Sequence, residues 1–213
     1  MFARIPDAEE QLEEEIQEPT PEIKERPKAI NICSALLLPG VLAYCLAYAC
    51  LKLVNYSFFF WLPFYLNNKF GWTEQVSDQL STWYDWGGIA GGIAGGLVTD
   101  FMPTRTPVVV GMLLISTGAL YGYSNSPADK DANSWLMMVA GFFVGGPANL
   151  ISAAVSADLG KAPEIRGNAE ALATVTGLVD GTGSVGAGIG QILVPAIESH
   201  FNWHAVFYLF IVM

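Results

Sequence analysis

Charged residues are scarce along most of this chain. Lys, Arg, Asp and Glu make up 14% of its 213 residues, whereas soluble domains carry about 25%. Thirteen of the 30 charged residues lie within positions 1–30, so the rest of the chain shares only 17. The chain is also 52% hydrophobic. A long stretch so poor in charge and so rich in apolar residues is typical of a membrane protein.

Other patterns are missing as well. The three cysteines fall in one apolar segment, without the spacing of a metal site or of a disulfide framework. The acidic amino-terminus lacks the basic region and apolar core of a signal peptide. No apolar run alternates as the strands of a membrane barrel do, and irregular backbone cannot face lipid. We therefore expect an all-α, polytopic helical membrane bundle in contact with the lipid bilayer, with no metal, no cofactor and no nucleic-acid partner.

Six apolar stretches form the predicted bundle over residues 31–213. A spanning helix needs about 20 mostly apolar residues. The candidates are 36–66, 80–101, 107–124, 135–157, 168–197 and 203–213. Residues 1–30 are instead rich in Glu and Pro, which predicts a disordered acidic linker, although a short solvated helix around 8–17 fits equally well.

The basic residues are distributed unevenly between the predicted loops. Close to the predicted spans, one side of the bundle holds six of them, and the other side holds only Lys69 and Lys130. The six are Lys24, Arg26, Lys28, Arg105, Lys161 and Arg166. Because Lys and Arg are enriched in cytoplasmic loops, residues 1–30 and the loops 102–106 and 158–167 are predicted to be cytosolic.

Glycines recur in two of the spans. The spacing Gly181-Thr-Gly183-Ser-Val-Gly186 matches the dinucleotide fingerprint, which requires a preceding strand and the start of a helix. Here the glycines lie inside an apolar span, so close helix packing is the better interpretation. The run GGIAGGIAGG at 87–96 forms two adjacent ridges at four-residue spacing. We expect these flat stripes to let a neighbouring helix approach and slide.

Polar side chains near the middle of the spans are candidates for substrate binding. Intramembrane charges are costly and often functional. Lys52, Asn55 and Tyr56 share one helix face, and a lysine ammonium in a water-lined cavity attracts an anion such as phosphate. The structural alternative is an ion pair of Lys52 with Asp180 or Asp85. Asp180 itself fits three roles equally: pairing with a cation, binding a sugar hydroxyl, or satisfying exposed backbone. Asn149 is the uncharged mid-span candidate.

A second group of residues is predicted to control gating. Asp85 lies near the non-cytosolic end of its span, where a gate and simple exposure at the interface are both plausible. Gly96, Asp100 and Arg105 belong to the segment GLVTDFMPTR at 96–105, which closes a span and turns in the cytosol. Asp100 and Arg105 can form a charge latch that breaks and remakes, or the segment is a plain polar turn.

Four motifs together resemble the carboxyl-terminal half of a major facilitator transporter. They are LVNYSFFFWLPFYL (53–66), WYDWGGIAGGIAGGLVTD (83–100), GGPANLISAAVSADLG (145–160) and RGNAEALATVTGLVDGTGSVGAGIGQ (166–191). The chain is similar to the organophosphate–phosphate antiporters, above all to the animal sugar-phosphate exchangers of solute carrier family 37. Gly96, Asp100 and Arg105 match the signature loop of the superfamily.

This resemblance implies a fold and a function. The chain would supply helices seven to twelve, the last one truncated, with 1–30 as the central cytosolic loop and a missing amino-terminal half as partner. The function would be antiport of a sugar phosphate, of the glucose 6-phosphate type, against inorganic phosphate by alternating access in the endoplasmic reticulum membrane.

The resemblance also bears on the phosphate-binding residues. Bacterial relatives bind phosphate with an arginine on the seventh helix. Asn55 stands at that position here, and Lys52, one turn earlier, is placed to replace it. A tenth-helix histidine is matched by Ala154.

Two other functions remain open on the sequence. Asp85 and Asp180 are intramembrane carboxylates, and paired aspartates share a proton in membrane-embedded aspartyl proteases. That activity requires the two carboxylates to lie side by side. Alternatively, the chain is inactive in transport and acts by binding a full-length partner.

Overall fold

The computed structural model describes residues 30–159, 162–163 and 165–213, with the side chains of 153–158 left out of that description. The predicted linker therefore lies almost wholly outside the described residues. Within them the chain forms seven helices and no strand. The helices are α1 (Ile32–Leu36), α2 (Val41–Phe70), α3 (Glu74–Asp100), α4 (Thr106–Ser124), α5 (Lys130–Leu159), α6 (Ala169–His200) and α7 (Trp203–Val212).

The first predicted span differs from the helices observed. The expected helix at 36–66 is broken, because α1 ends at Leu36 and α2 begins only at Val41. Pro39 lies in the break and has no backbone N–H to donate. Gly40 follows with a φ of +84°, a left-handed conformation that suits glycine. The helix then continues past residue 66 and ends at Phe70, and the next residue, Gly71, also has a positive φ.

Two of the later helices begin before the apolar stretches that predicted them. Helix α3 begins at Glu74 instead of residue 80, and α5 begins at Lys130 instead of residue 135. Their first turns contain Glu74 and Asp131, whose negative charges are favourable at a helix amino-terminus. Hydropathy detects only the apolar part of such a helix, so the polar first turns were missed.

Glycines bring two pairs of helices into backbone contact. A Cβ atom on Gly87 or Gly91 of α3 would overlap a carbonyl oxygen of α5, that of Met138 or Phe142 respectively. A Cβ on Gly186 of α6 would likewise overlap the Ala49 carbonyl oxygen of α2. Residue numbers rise together along the α3–α5 contact, so these two helices run parallel. The predicted role of the glycines in helix packing is confirmed.

The two glycine ridges of the run at 87–96 do not pack alike. The ridge Gly87, Gly91 and Gly95 packs tightly on α5 and α4, whereas a Cβ added to Gly96 of the second ridge would meet no atom within 4 Å. The dinucleotide-like segment lies inside α6, where no strand precedes it in the described part of the chain. The interpretation of this segment as a packing element is confirmed for Gly183 and Gly186, which lie against α2, but not for Gly181, which has no atom of a neighbouring helix within 4 Å of its Cβ position.

Three of the described helices are long and apolar enough to cross a membrane. They are Val41–Phe70, Thr106–Ser124 and the part Lys130–Ser152 of α5, each with a mean hydropathy of 1.4. Helices α3 and α6 are as long, with 27 and 32 residues, but their glycines and acidic residues lower the mean hydropathy. The predicted fold class, an all-α membrane bundle, is confirmed.

Candidate functional site

A polar cavity of about 510 Å³ opens between α2, α5 and α6. All five residues predicted to bind substrate line it, so the fold brings them together from three helices. The lining residues are Tyr48, Lys52, Asn55, Tyr56, Ala148, Asn149, Ser152 and Asp180. Tyr48, Ala148 and Ser152 were missed in the sequence. Tyr48 lies four positions before Lys52, and Ser152 lies three after Asn149, so helical spacing could have identified both.

Lys52 is the cationic centre of this cavity. Lys52 as a whole residue is 8% exposed, and its Nζ atom lies 2.7 Å from Oδ1 of Asp180. The same ammonium donates to the Ser184 hydroxyl at 3.4 Å and lies 4.9 Å from the centre of the Tyr48 ring. This is the only ion pair among the residues that the structure describes. The structural alternative for Lys52, an ion pair with Asp180, is therefore present in the fold.

Gly183 allows this ion pair to form. It lies three positions after Asp180 on α6, directly against the side chains of α2. A Cβ at Gly183 would lie 2.8 Å from Cδ of Lys52 and 2.8 Å from Cδ1 of Tyr48. The absence of a side chain therefore leaves the space in which the lysine stem crosses α6 to reach the carboxylate.

The two partners of the pair differ in their access to the cavity. The Lys52 side chain is 11% exposed and the Asp180 side chain is 58% exposed. The lysine stem packs in the helix interface while its charge reaches the cavity wall, an arrangement common for long cationic side chains. The carboxylate, in contrast, faces the open cavity.

Asn55 is held by a buried tyrosine. The Tyr84 hydroxyl donates to Oδ1 of Asn55 at 2.8 Å, and Tyr84 is 3% exposed. The Tyr84 ring stacks on Phe58 with a centroid distance of 4.9 Å. This bond uses the amide oxygen of Asn55 as the acceptor, and the amide NH₂ is the donor group that Asn55 contributes to the cavity lining. Asn149 makes a longer contact, from Nδ2 to the Gly88 carbonyl oxygen at 3.5 Å.

The predicted gating residues lie outside this cavity. Asp85 is exposed on α3 and does not line the cavity. Asp180 takes Lys52 as its partner, so the geometry gives no sign of the paired aspartates that a protease requires. Asp100 is the last residue of α3, and Arg105 is the residue just before α4. No ion pair joins them in the described part of the chain, and the latch stays a prediction.

One residue of the resemblance falls outside the described side chains. It is Ala154, which is matched to a tenth-helix histidine. Its backbone lies in α5, two positions after Ser152, a residue of the cavity wall.

Comparison with known proteins gives consistent matches. The family model described as Major Facilitator Superfamily matches residues 42–213. Sugar phosphate exchanger 3 of Xenopus laevis is 62% identical over 187 residues, which are 88% of this chain and 37% of that protein. The Homo sapiens protein of the same name is 58% identical over 186 residues, 87% of this chain and 38% of the relative. Glucose-6-phosphate exchanger SLC37A2 of Homo sapiens is 43% identical over 188 residues, 88% of this chain and 37% of the relative.

The chain thus spans less than two fifths of the length of the relatives that it matches. The family model nevertheless covers most of this chain, from the second residue of α2 to the last residue. The helices, the apolar spans and these matches confirm the resemblance read from the sequence motifs. The chain belongs to the Major Facilitator Superfamily, a family of transporters, and is similar to its sugar phosphate exchangers.

Proposed function

We propose that this chain is the carboxyl-terminal half of an antiporter that exchanges a sugar phosphate, of the glucose 6-phosphate type, for inorganic phosphate. The transporter would be a multi-pass protein of the endoplasmic reticulum membrane with residues 1–30 in the cytosol. The names of the similar proteins, sugar phosphate exchanger and glucose-6-phosphate exchanger, support this substrate class.

The observation that carries the proposal is the Lys52 ammonium at a polar cavity wall. A lysine ammonium has three donors and binds phosphate as a compact point charge. Asn55, Asn149 and Ser152 add polar groups around it. The cavity of about 510 Å³ is within the range of about 300–1,000 Å³ that is usual for small-molecule sites.

The rest of the wall suits the sugar. Tyr48 and Tyr56 place aromatic rings 4.9 Å and 6.0 Å from the Lys52 nitrogen. Their hydroxyl groups can donate to or accept from sugar hydroxyls, and their rings cover apolar ring faces. Lys52 would bind the phosphoryl group, with Asn55 and Asn149 as neighbouring hydrogen-bond partners.

Transport would proceed by alternating access, with no covalent step. In such transporters the two halves rock around a site near the middle of the membrane. The glycine contacts of α2 with α6 and of α3 with α5 would let this half move with little change in its internal packing. Asp85 would act near one end of the path. Gly96, Asp100 and Arg105 would act at the other end, where the Asp100–Arg105 latch would form in a different state of the cycle.

The test uses a fusion in which this chain replaces the matching segment of Xenopus laevis sugar phosphate exchanger 3. Proteoliposomes are loaded with radioactive phosphate, and efflux is measured after external addition of glucose 6-phosphate, of inorganic phosphate, or of glucose. We expect the first two to accelerate efflux several-fold and glucose to have no effect. The unmodified relative is the matched control. The proposal would be refuted if the fusion is well folded and no external phosphate-bearing compound accelerates the efflux.

A further inference from the structure

We propose that Asp180 is an internal competitor of the substrate at Lys52. In the empty cavity its carboxylate binds the lysine ammonium, and an entering phosphoryl group displaces it. The proposal rests on the function proposed above for the same cavity, and adds to it a residue that sets how tightly phosphate is held and how readily it leaves.

The geometry makes the two anions compete for one ammonium. Oδ1 of Asp180 lies 2.7 Å from the Lys52 nitrogen, which is the distance that a phosphate oxygen takes from an ammonium donor. The ammonium also donates to Ser184 Oγ at 3.4 Å, and the aliphatic stem of Lys52 is enclosed by Tyr48 and Gly183. A phosphoryl oxygen entering from the cavity therefore approaches the region that Oδ1 occupies.

Exposure decides which partner gives way. Lys52 is enclosed at 11% exposure and needs a nearby negative charge, because an isolated buried charge is strongly unfavourable. Asp180 is 58% exposed, so its carboxylate can turn towards the water of the cavity with little loss of solvation. A phosphoryl dianion also repels this carboxylate. Substrate entry thus exchanges one counter-anion of Lys52 for another.

This exchange explains how a single lysine can both hold and release phosphate. Without a competitor, departure of the phosphate would leave the enclosed ammonium unpaired. With Asp180 in reach, the ammonium has an anionic partner both before and after binding. By linkage, whatever the Lys52–Asp180 pair contributes to the empty state is subtracted from the affinity for phosphate.

The test measures equilibrium binding of radioactive inorganic phosphate to the purified fusion in detergent, separately from exchange. We expect Asp180→Asn to lower the Kd for phosphate about tenfold, a coupling of the size typical between linked sites. Asp180→Glu keeps the competing charge, so it is expected to lower the Kd for phosphate much less than Asp180→Asn does. Monodisperse elution shows that each variant is folded.

The outcomes separate this inference from the proposed function. If Asp180→Asn leaves the Kd unchanged or raises it while the unsubstituted fusion still exchanges phosphate, Asp180 is not a competitor and only this inference fails. If the unsubstituted fusion neither binds nor exchanges phosphate, both fail.

A second measurement does not depend on the folding of Asp180→Asn. Phosphate added to the unsubstituted fusion is expected to shift the infrared carboxylate band of Asp180 as the group loses its ammonium partner. Asp180→Glu identifies the band by moving it. A carboxylate spectrum that phosphate leaves unchanged would contradict the displacement.

Discussion

The Nζ atom of Lys52 on α2 lies 2.7 Å from Oδ1 of Asp180 on α6, across 128 positions of the sequence. The contact joins two walls of the cavity and places a cation where the polar side chains of three helices meet. Gly183 leaves room for it, since a Cβ there would lie 2.8 Å from Cδ of Lys52 and would force the lysine stem to shift. One ion pair therefore links helix packing to the chemistry of the site.

The two halves of this pair are expected to contribute unequally to stability. Asp180→Asn leaves the enclosed Lys52 without a counter-charge, which we expect to reduce the free energy of unfolding by about 3 kcal/mol, the usual effect of orphaning a buried charge. Lys52→Met leaves a carboxylate that already reaches the cavity, and we expect a loss of at most about 1 kcal/mol. Denaturation in detergent, followed by tryptophan fluorescence, measures both. Equal losses would show that exposure does not govern the pair.

The glycines of α6 provide a matched pair of substitutions. A Cβ at Gly186 would overlap the Ala49 carbonyl oxygen, so Gly186→Ala is expected to destabilise the chain by about 1–3 kcal/mol. Gly181 has open space around its Cβ position, so Gly181→Ala should be neutral or stabilising by up to about 1 kcal/mol, as alanine favours helix. Thermal unfolding of the two variants checks this. A larger loss for Gly181→Ala would contradict the packing role.

Much of this fold could be predicted, since its signals are local. The four-residue spacing of Gly87, Gly91 and Gly95 is visible in the sequence and indicates a flat helix face. The partner of that face is not visible, because α5 begins 30 positions beyond the end of α3 and no periodicity connects the two. The break between α1 and α2 had a local signal in Pro39 and Gly40, but the apolar run on both sides concealed it.

The charged residues of the site could likewise be identified one by one, but the contacts between them could not be predicted. Lys52 and Asp180 could each be singled out as costly intramembrane charges. Which carboxylate pairs with Lys52 could not be decided, because Asp85 and Asp180 lie on different helices and only the packing of α2 on α6 favours Asp180. The hydrogen bond from Tyr84 to Asn55 was missed altogether, since the sequence of an apolar span does not indicate the partner of a buried tyrosine.

Tyr84 is expected to position Asn55 for binding. Tyr84→Phe removes the donor to Asn55 Oδ1, which should reduce the free energy of unfolding by about 1 kcal/mol and raise the KM for phosphate several-fold as the amide loses its fixed orientation. Tyr121→Phe, at a side chain that is 58% exposed, is the control. In a double-mutant cycle with Asn55→Ala, additive effects on KM would contradict the coupling.

Lys69 is expected to stabilise the contact between α2 and the carboxyl-terminus of α4. Its ammonium donates to the Ser124 carbonyl oxygen at 3.0 Å and to the Tyr65 hydroxyl at 2.7 Å. A cation at a helix carboxyl-terminus is favourable, so Lys69→Met should lower the free energy of unfolding by about 1 kcal/mol. Lys130→Met, at an exposed helix start, should have a smaller effect. Unfolding midpoints compare the two, and equal midpoints would remove this role from Lys69.

The most direct test of the account is phosphate exchange by Lys52 variants of the fusion in proteoliposomes. Lys52→Ala is expected to lower the exchange of phosphate for glucose 6-phosphate by about 100-fold, because it removes the charge that we propose to pair with substrate. Lys52→Arg keeps the charge and should retain a measurable part of the activity. Lys69→Met, outside the cavity, should exchange normally once corrected for folded protein. Exchange by Lys52→Ala at the rate of the unsubstituted fusion would contradict the assignment of Lys52 as the phosphate-binding residue.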